Sequence, residues 1–419
     1  MNEKKDFLIK DSFILFLATS IVNISNFIFH MFVTRHLSPN EYGALATLLA
    51  IIIIVVMPAQ ALQMTIAKKS AIYKAHNDIK SIGFLFYKTT KWFFILGIFY
   101  FIFFMLFSGR IMDFFKIDDF FLILVLALIS IIAILLPVIR GILQGLQKFI
   151  GFGSNLIIDA LFRLIFVVVL VSIGFGLRGA LASSLLSATT AYITGLFIIK
   201  ELCKIDKDKS PTLITKKEIF EYAFPVFLSM FAFSVLSYMD LLIVKHFFDK
   251  EQAGLYAVTS IIGKAFLYFP MAIAMALFPK VSENFELNKS TRAMLIKSLV
   301  LTFTISIFGF LFCYFFPNFV IKLLTGGGKY YEISNIVKIF GIAILPLVLM
   351  NVLINYLLAV HRYLFIYIMY AGIILYGVLL WFFHSSFYQI IFILFISNLL
   401  ILLFSIISIF IKFNKKVMV

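Results

Sequence analysis

Twelve apolar runs of about 20 residues succeed one another along this chain, and that is the length a helix needs to cross a hydrocarbon core. They lie near residues 12–34, 43–66, 84–107, 120–145, 153–175, 179–199, 220–244, 255–279, 295–318, 333–358, 363–383 and 387–411. Backbone in lipid must satisfy its own hydrogen bonds, so uninterrupted runs of this kind are α-helices. No room remains for a soluble domain. Composition agrees, since 63% of the 419 residues are hydrophobic and only 13% are charged, against roughly 25% charged in a soluble domain. The expected fold class is therefore an all-α polytopic membrane protein with about 12 transmembrane helices.

The formal net charge is +16. Nucleic-acid binding needs such charge gathered on one face, whereas here it falls in short clusters between apolar runs, so no nucleic-acid partner is expected. Counted on alternate loops, 25 Lys and Arg lie on one side and nine on the other, with Arg163 and Lys264 inside spans. That bias places both termini in the cytoplasm. Basic residues precede the first run but no small-residue cleavage site follows it, so it is expected to be a retained helix and not a signal peptide. Trp92 and Trp381, near span ends, suit the interfacial belts. Cys203 and Cys313 show neither CxxC nor Cys/His spacing, so no disulfide framework, metal site or cofactor is expected.

The longest polar stretch, Lys200 to Glu218, divides the chain into an N-terminal six-helix half (1–200), a cytoplasmic linker (201–218) and a C-terminal six-helix half (219–419). Short features recur across it in order. Arg35-His36 matches Lys245-His246 at an offset of 210, Gly43 matches Gly254 at 211, Pro58 matches Pro270 at 212, and Gln147-Lys148-Phe149 matches His361-Arg362-Tyr363 at 214. An even number of helices per unit gives the two halves the same orientation, the parallel-repeat plan of some secondary transporters. A central cavity between the halves, worked by alternating access, is the expectation.

A charge at mid-membrane costs about 2.5–3.5 kcal/mol on insertion scales, so each one must be paired, hydrated or functional. Asp159 and Arg163 are four residues apart, on one helix face. They read either as a mutually neutralised packing pair or as a carboxylate orienting a guanidinium fork toward a phosphate. Arg140, near the inner end of the fourth span, reads first as an ordinary cytoplasmic anchor and otherwise as a further cavity cation. Asp240 and Lys264 sit on consecutive spans joined by an outer loop. They form either a structural ion pair or a functional one, with Lys264 meeting an anionic substrate and Asp240 carrying a coupling proton or Na⁺. Asn23, Asn26 and His30 make a polar stripe at i, i+3, i+7. Gln60 and Gln63, just past Pro58, and Asn351 with Asn355 extend the same theme. Such groups suit sugar hydroxyls or interhelical hydrogen bonds equally.

Two motifs fail on context. Gly326-Gly327-Gly328-Lys329 lacks the GxxxxGK[ST] spacing and reads as a turn; Asp206-Lys207-Asp208 has no nucleotide fold around it; no nucleophile elbow or HExxH occurs. The chain does not read as an enzyme.

The stretches Arg35-His-Leu-Ser-Pro-Asn-Glu-Tyr-Gly43, Arg140-Gly-Ile-Leu-Gln-Gly-Leu-Gln-Lys148, Tyr238-Met-Asp240, Ala253-Gly-Leu-Tyr-Ala-Val258 through Lys264, and Gly328-Lys-Tyr330 recur in order over nearly the whole chain. In these the sequence resembles the polysaccharide (O-antigen type) flippase family of the multidrug, oligosaccharidyl-lipid and polysaccharide exporter superfamily. The resemblance implies a protein of the bacterial inner membrane that moves an undecaprenyl-pyrophosphate-linked glycan from the cytoplasmic to the outer leaflet, for surface polysaccharides such as lipopolysaccharide. It also implies a polysaccharide polymerase and a chain-length regulator as partners. Asp240 and Lys264 fall where that family carries Asp and Lys, and Arg163 matches a common basic position. A multidrug or small-cation antiporter of the same superfamily would be expected to have an acidic cavity. A peptidoglycan lipid-precursor flippase would bring two further helices, and a glycan polymerase a large outer loop.

Overall fold

A computed structural model of the chain describes residues 2–202, 216–265 and 289–409, together with residues 277, 281, 282, 284, 285 and 287. Most of the expected linker 201–218, with Cys203 and Asp206–Asp208, lies outside the described residues, as do Pro270 and much of the expected span 255–279. Contacts divide the chain into two compact units, Met1–Phe227 and Leu228–Val419.

The first unit contains α1 (Asn2–His36), α2 (Pro39–Ala75), α3 (Ile79–Leu106), the short α4 (Ser108–Phe115), α5 (Phe120–Gly145), α6 (Phe149–Leu170) and α7 (Gly176–Ile198). A capping box starts α2: Ser38 N–H donates to Glu41 Oε2 at 2.9 Å, Glu41 N–H donates back to Ser38 Oγ at 3.4 Å, and Pro39 fills the first helical position. The helix outruns its expected bounds of 43–66, because its last turns carry Lys68, Lys69 and Lys74 beyond the apolar stretch. The central helix is α5, with 72% of its most apolar window buried. It packs against α2, α3 and α7, while α6 packs on α7 and α1. Its approach to α2 depends on Gly141 and Gly145, spaced as in a GxxxG seam: a Cβ on Gly145 would fall 2.3 Å from the Ala67 carbonyl oxygen. Between α6 and α7 the chain bends at Gly174, whose φ of 97° only glycine adopts without strain.

The boundary between units falls within α8 (Lys216–Phe247). The second unit continues with α9 (Lys250–Lys264), α10 (Arg292–Phe315), the short α11 (Pro317–Thr325), α12 (Ser334–Ala359), α13 (Leu364–Phe382) and α14 (Phe387–Ile407). Its central helix is α12, with 67% of the window buried. It packs against α9, α10 and α14, and α13 packs on α14. The packing of α12 on α9, α10 and α14 and of α13 on α14 parallels that of α5 on α2, α3 and α7 and of α6 on α7, with α12 in the place of α5.

The parallel between the units extends to backbone detail. Asp249 caps α9 by accepting from Gln252 N–H at 2.8 Å, 211 residues after Ser38. Gln147 (φ 56°) and His361 (φ 53°) turn the chain in the left-handed region at the ends of α5 and α12. Each is followed by the same closing bond, Lys148 N–H to Leu143 O at 2.9 Å and Arg362 N–H to Leu357 O at 3.0 Å, a Schellman closure that satisfies the last carbonyls. Lys116 (φ 53°) and Gly326 (φ 82°) end α4 and α11 alike. The triple glycine is the expected turn, all three residues having positive φ.

Among the described residues, ten helices are long and apolar enough to cross a membrane. One of them, Phe149–Ile198, holds both α6 and α7 in 50 residues, enough for two crossings. Phe99, Phe103, Phe308 and Phe312 stand exposed on α3 and α10, as side chains facing lipid tails do. The protein is an all-α, multi-pass membrane protein.

Candidate functional site

In the first unit the polar stripe of α1 meets side chains from α2 and α6. Arg163 on α6 donates a guanidinium N–H to Asn26 Oδ1. Its Cζ lies 5.1 Å from the centroid of the Phe29 ring, a cation–π arrangement that helps to hold a charge away from water. One turn along, His30 Nδ1 lies 3.2 Å from the hydroxyl of the fully buried Tyr42. Asn23 continues the stripe and is exposed.

Arg140 is not the cytoplasmic anchor that its place near the end of α5 suggested. Its side chain is only 16% exposed. Nη2 donates to Asp159 Oδ2 at 2.8 Å and Nε to Asn155 Oδ1 at 2.9 Å, and Asn155 Nδ2 donates in turn to the Ala191 carbonyl at 2.6 Å. One guanidinium thus joins α5, α6 and α7. The ion partner of Asp159 is Arg140, which replaces the expected arrangement within α6; the cross-helix geometry satisfies two donors of one planar fork at once. Gln63 Nε2 donates to Gln144 Oε1 at 3.3 Å between α2 and α5, and Gln60 is exposed.

In the second unit the loop between α8 and α9 folds Asp240 and Lys264 together. Lys264 Nζ lies 3.2 Å from Asp240 Oδ1, and Tyr256 donates its hydroxyl to Asp240 Oδ2 at 3.0 Å. The ammonium also sits 4.8 Å from the centroid of the Tyr238 ring. Asp240 and Tyr256 are fully buried and Lys264 is 7% exposed. Tyr256, Ser260 and Lys264 form one i, i+4, i+8 row on α9, which is why one face delivers both partners. At this separation the attraction is on the order of 4 kcal/mol, offset by the desolvation of both charges. The buried Tyr376 lies within electrostatic reach of Asp240. Asn351 and Asn355 are half-buried on α12, and Asn355 Nδ2 donates to the Asn351 carbonyl of its own helix at 2.9 Å.

At the repeat offset of 210, His30 corresponds to Asp240. Each bonds the hydroxyl of a tyrosine on the following helix, Tyr42 in one unit and Tyr256 in the other. Sequence reasoning gave Tyr42, Tyr256 and Tyr238 no role of their own within the quoted stretches, and did not single out Asn155. Asn155 had a readable signal, since it lies four residues before Asp159 on the same face.

These geometries offer distinct chemistry. A guanidinium and an ammonium can each bond a phosphate oxyanion, and a carboxylate can accept hydrogen bonds or bind a cation. Asn, Gln and His groups supply neutral donors and acceptors.

The sequence profile of the family described as polysaccharide biosynthesis protein matches residues 8–285. An uncharacterized membrane protein of Methanocaldococcus jannaschii is 26% identical over 192 residues, a stretch covering 43% of this chain and 44% of that relative. The match thus spans less than half the length of this curated relative. Among solved structures, an inward-facing multidrug resistance MATE family transporter of the MOP superfamily aligns with a TM-score of 0.76 at 14% identity, covering 92% of this chain and 93% of its own. A MOP superfamily transporter from Pyrococcus furiosus, described as having a binding pocket of reverse polarity, aligns with a TM-score of 0.69 at 14% identity, over 97% of this chain and 96% of its own. These two likenesses concern the fold.

Proposed function

The chain belongs to the polysaccharide biosynthesis protein family, and from that membership we propose that it moves a polyprenyl-pyrophosphate-linked oligosaccharide from the cytoplasmic to the outer leaflet of the cytoplasmic membrane, with both termini in the cytoplasm. The observation that carries this reading is the meeting of the α1 polar stripe with a guanidinium inside the membrane: Asn26 with Arg163, and His30 with Tyr42. A glycan head too polar to cross lipid needs its hydration replaced by such groups, while its isoprenoid tail remains in the bilayer.

The roles divide by geometry. Arg163 and Lys264 offset the diphosphate charge, and Asn23, Asn26, His30, Gln60, Gln63, Asn351 and Asn355 serve the sugar hydroxyls. Arg140, Asp159 and Asn155 hold α5, α6 and α7 together. When a phosphate draws Lys264 away, Asp240 keeps Tyr256 as donor, and a proton or Na⁺ entering on Asp240 in exchange for the exported substrate adds drive. With the inside negative, outward movement of an anion is favoured by about 2.3 kcal/mol per charge per 100 mV.

The test is to follow lipid-linked glycan in a strain lacking the protein. The reading expects intermediates to accumulate on the cytoplasmic leaflet, where an impermeant enzyme added to right-side-out vesicles cannot reach them. Unchanged surface glycan together with new sensitivity to cationic drugs would replace it with the antiporter reading.

A further inference from the structure

The second unit holds a recess of about 450 Å³ that neither ion pair nor polar stripe uses. That volume lies within the roughly 300–1,000 Å³ of small-ligand sites. It opens at one end of the unit, where α8 passes into α9 and α13 into α14, the end that the distribution of lysines assigns to the outside. One wall is aromatic and locked: the rings of Phe247 and His384 stack with centroids 3.5 Å apart, Trp381 meets Phe247 edge-on at 5.1 Å, and Phe248 stacks on Phe387 at 4.9 Å. Rings held this way lose little freedom when a ligand arrives.

The rest of the lining is polar without being cationic. Asp249 uses one carboxylate oxygen to cap α9 through Gln252 N–H, which leaves the second for a ligand. The Gln252 side-chain amide and the Ser385 hydroxyl line the recess and make no hydrogen bond among the described residues. Tyr388, 54% exposed, stands at the rim. Lys and Arg do not occur among the lining residues, so a phosphate would find no counter-charge there. Aromatic rings beside carboxylate, amide and hydroxyl groups match a pyranose, which has an apolar C–H face and a perimeter of hydroxyls.

We propose that this recess is a subsite for an uncharged sugar unit at the outer end of the second unit, taking hold of the glycan as it leaves. The proposal rests on the reading that the cargo is a lipid-linked glycan. The subsite itself, however, is tested without lipid carrier or transport, so the two can fail separately.

The experiment uses the full chain in nanodiscs with Trp92→Phe, which leaves Trp381 as sole tryptophan reporter beside the recess. The probes are cellobiose, chitobiose and maltotriose, with tetramethylammonium as the cation control. The expected result is a saturable change in Trp381 emission with at least one sugar, its midpoint raised about tenfold by Tyr388→Ala and by Gln252→Ala, while Tyr388→Phe, which keeps the ring, restores it. Three results would overturn the proposal: no saturable response to any of the three sugars, a response unchanged in both alanine variants, or a response to tetramethylammonium alone. Sugar binding here with glycan export intact in a deletion strain would leave the subsite standing and remove the flippase reading.

Discussion

Asp240 and Lys264 come to within 3.2 Å of each other where the aspartate has no exposed surface at all, and Tyr256 closes the other carboxylate oxygen at 3.0 Å. Removing one member of such a pair strands the other, at a cost of about 3–5 kcal/mol, whereas removing both charges together is far milder. Lys264→Ala is therefore expected to lower the melting temperature of the purified protein strongly. Adding Asp240→Asn should recover at least half of the loss, since an asparagine oxygen still accepts from Tyr256. Additive losses in this double-mutant cycle would show that the two side chains do not act as a pair.

Arg140 makes a more exacting demand on shape. Its guanidinium donates in two directions, to Asn155 on one side and to Asp159 on the other. A lysine keeps the charge but not the fork. Arg140→Lys should therefore destabilise by about 1–3 kcal/mol, the cost of leaving a buried acceptor unsatisfied. Asn155→Ala should cause a comparable loss that is not additive with it. Thermal unfolding of the two single variants and the double variant decides this, and wild-type stability in Arg140→Lys would mean that charge alone matters.

Two glycines, one inside each unit, test helix packing and differ in what stands against them. A Cβ at Gly263 would fall 2.1 Å from Cδ1 of the Phe340 ring, whereas one at Gly145 meets the Ala67 backbone carbonyl. A side chain can be shortened and a backbone cannot. Gly263→Ala should impair folded yield, and Phe340→Leu in the same chain should restore it. Gly145→Ala should have no comparable rescue by a substitution on α2. Size-exclusion profiles of the detergent-extracted proteins report both outcomes.

The helices were legible because the bilayer sets their length, and the repeat because its turn residues keep their spacing. Gln147 and His361 match in sequence at an offset of 214, and both adopt the rare left-handed turn. Helix ends were less legible, since α2 continues through Lys68, Lys69 and Lys74 where hydropathy falls but helix propensity does not. Ionic partners were legible only when the loop was short. Asp240 and Lys264 meet because the chain turns back directly between them. Asp159 and Arg140 are joined by helix packing, which an i, i+4 rule within α6 does not see. The bonds of the tyrosines were hidden, because nothing in the stretch Ala253–Val258 tells that the Tyr256 hydroxyl reaches Asp240.

The central claim is that intramembrane cations carry the charge of a lipid-linked glycan, and its most direct test is surface glycan per inserted molecule in Arg163→Ala and in Lys264→Ala, with membrane levels measured alongside. The account predicts that each variant, counted per folded molecule because Lys264→Ala also strands Asp240, loses most surface glycan, about tenfold or more for a lost charged contact of roughly 1.4 kcal/mol or greater, with lipid-linked intermediates building up inside. Wild-type surface glycan in both variants at equal membrane levels would contradict it.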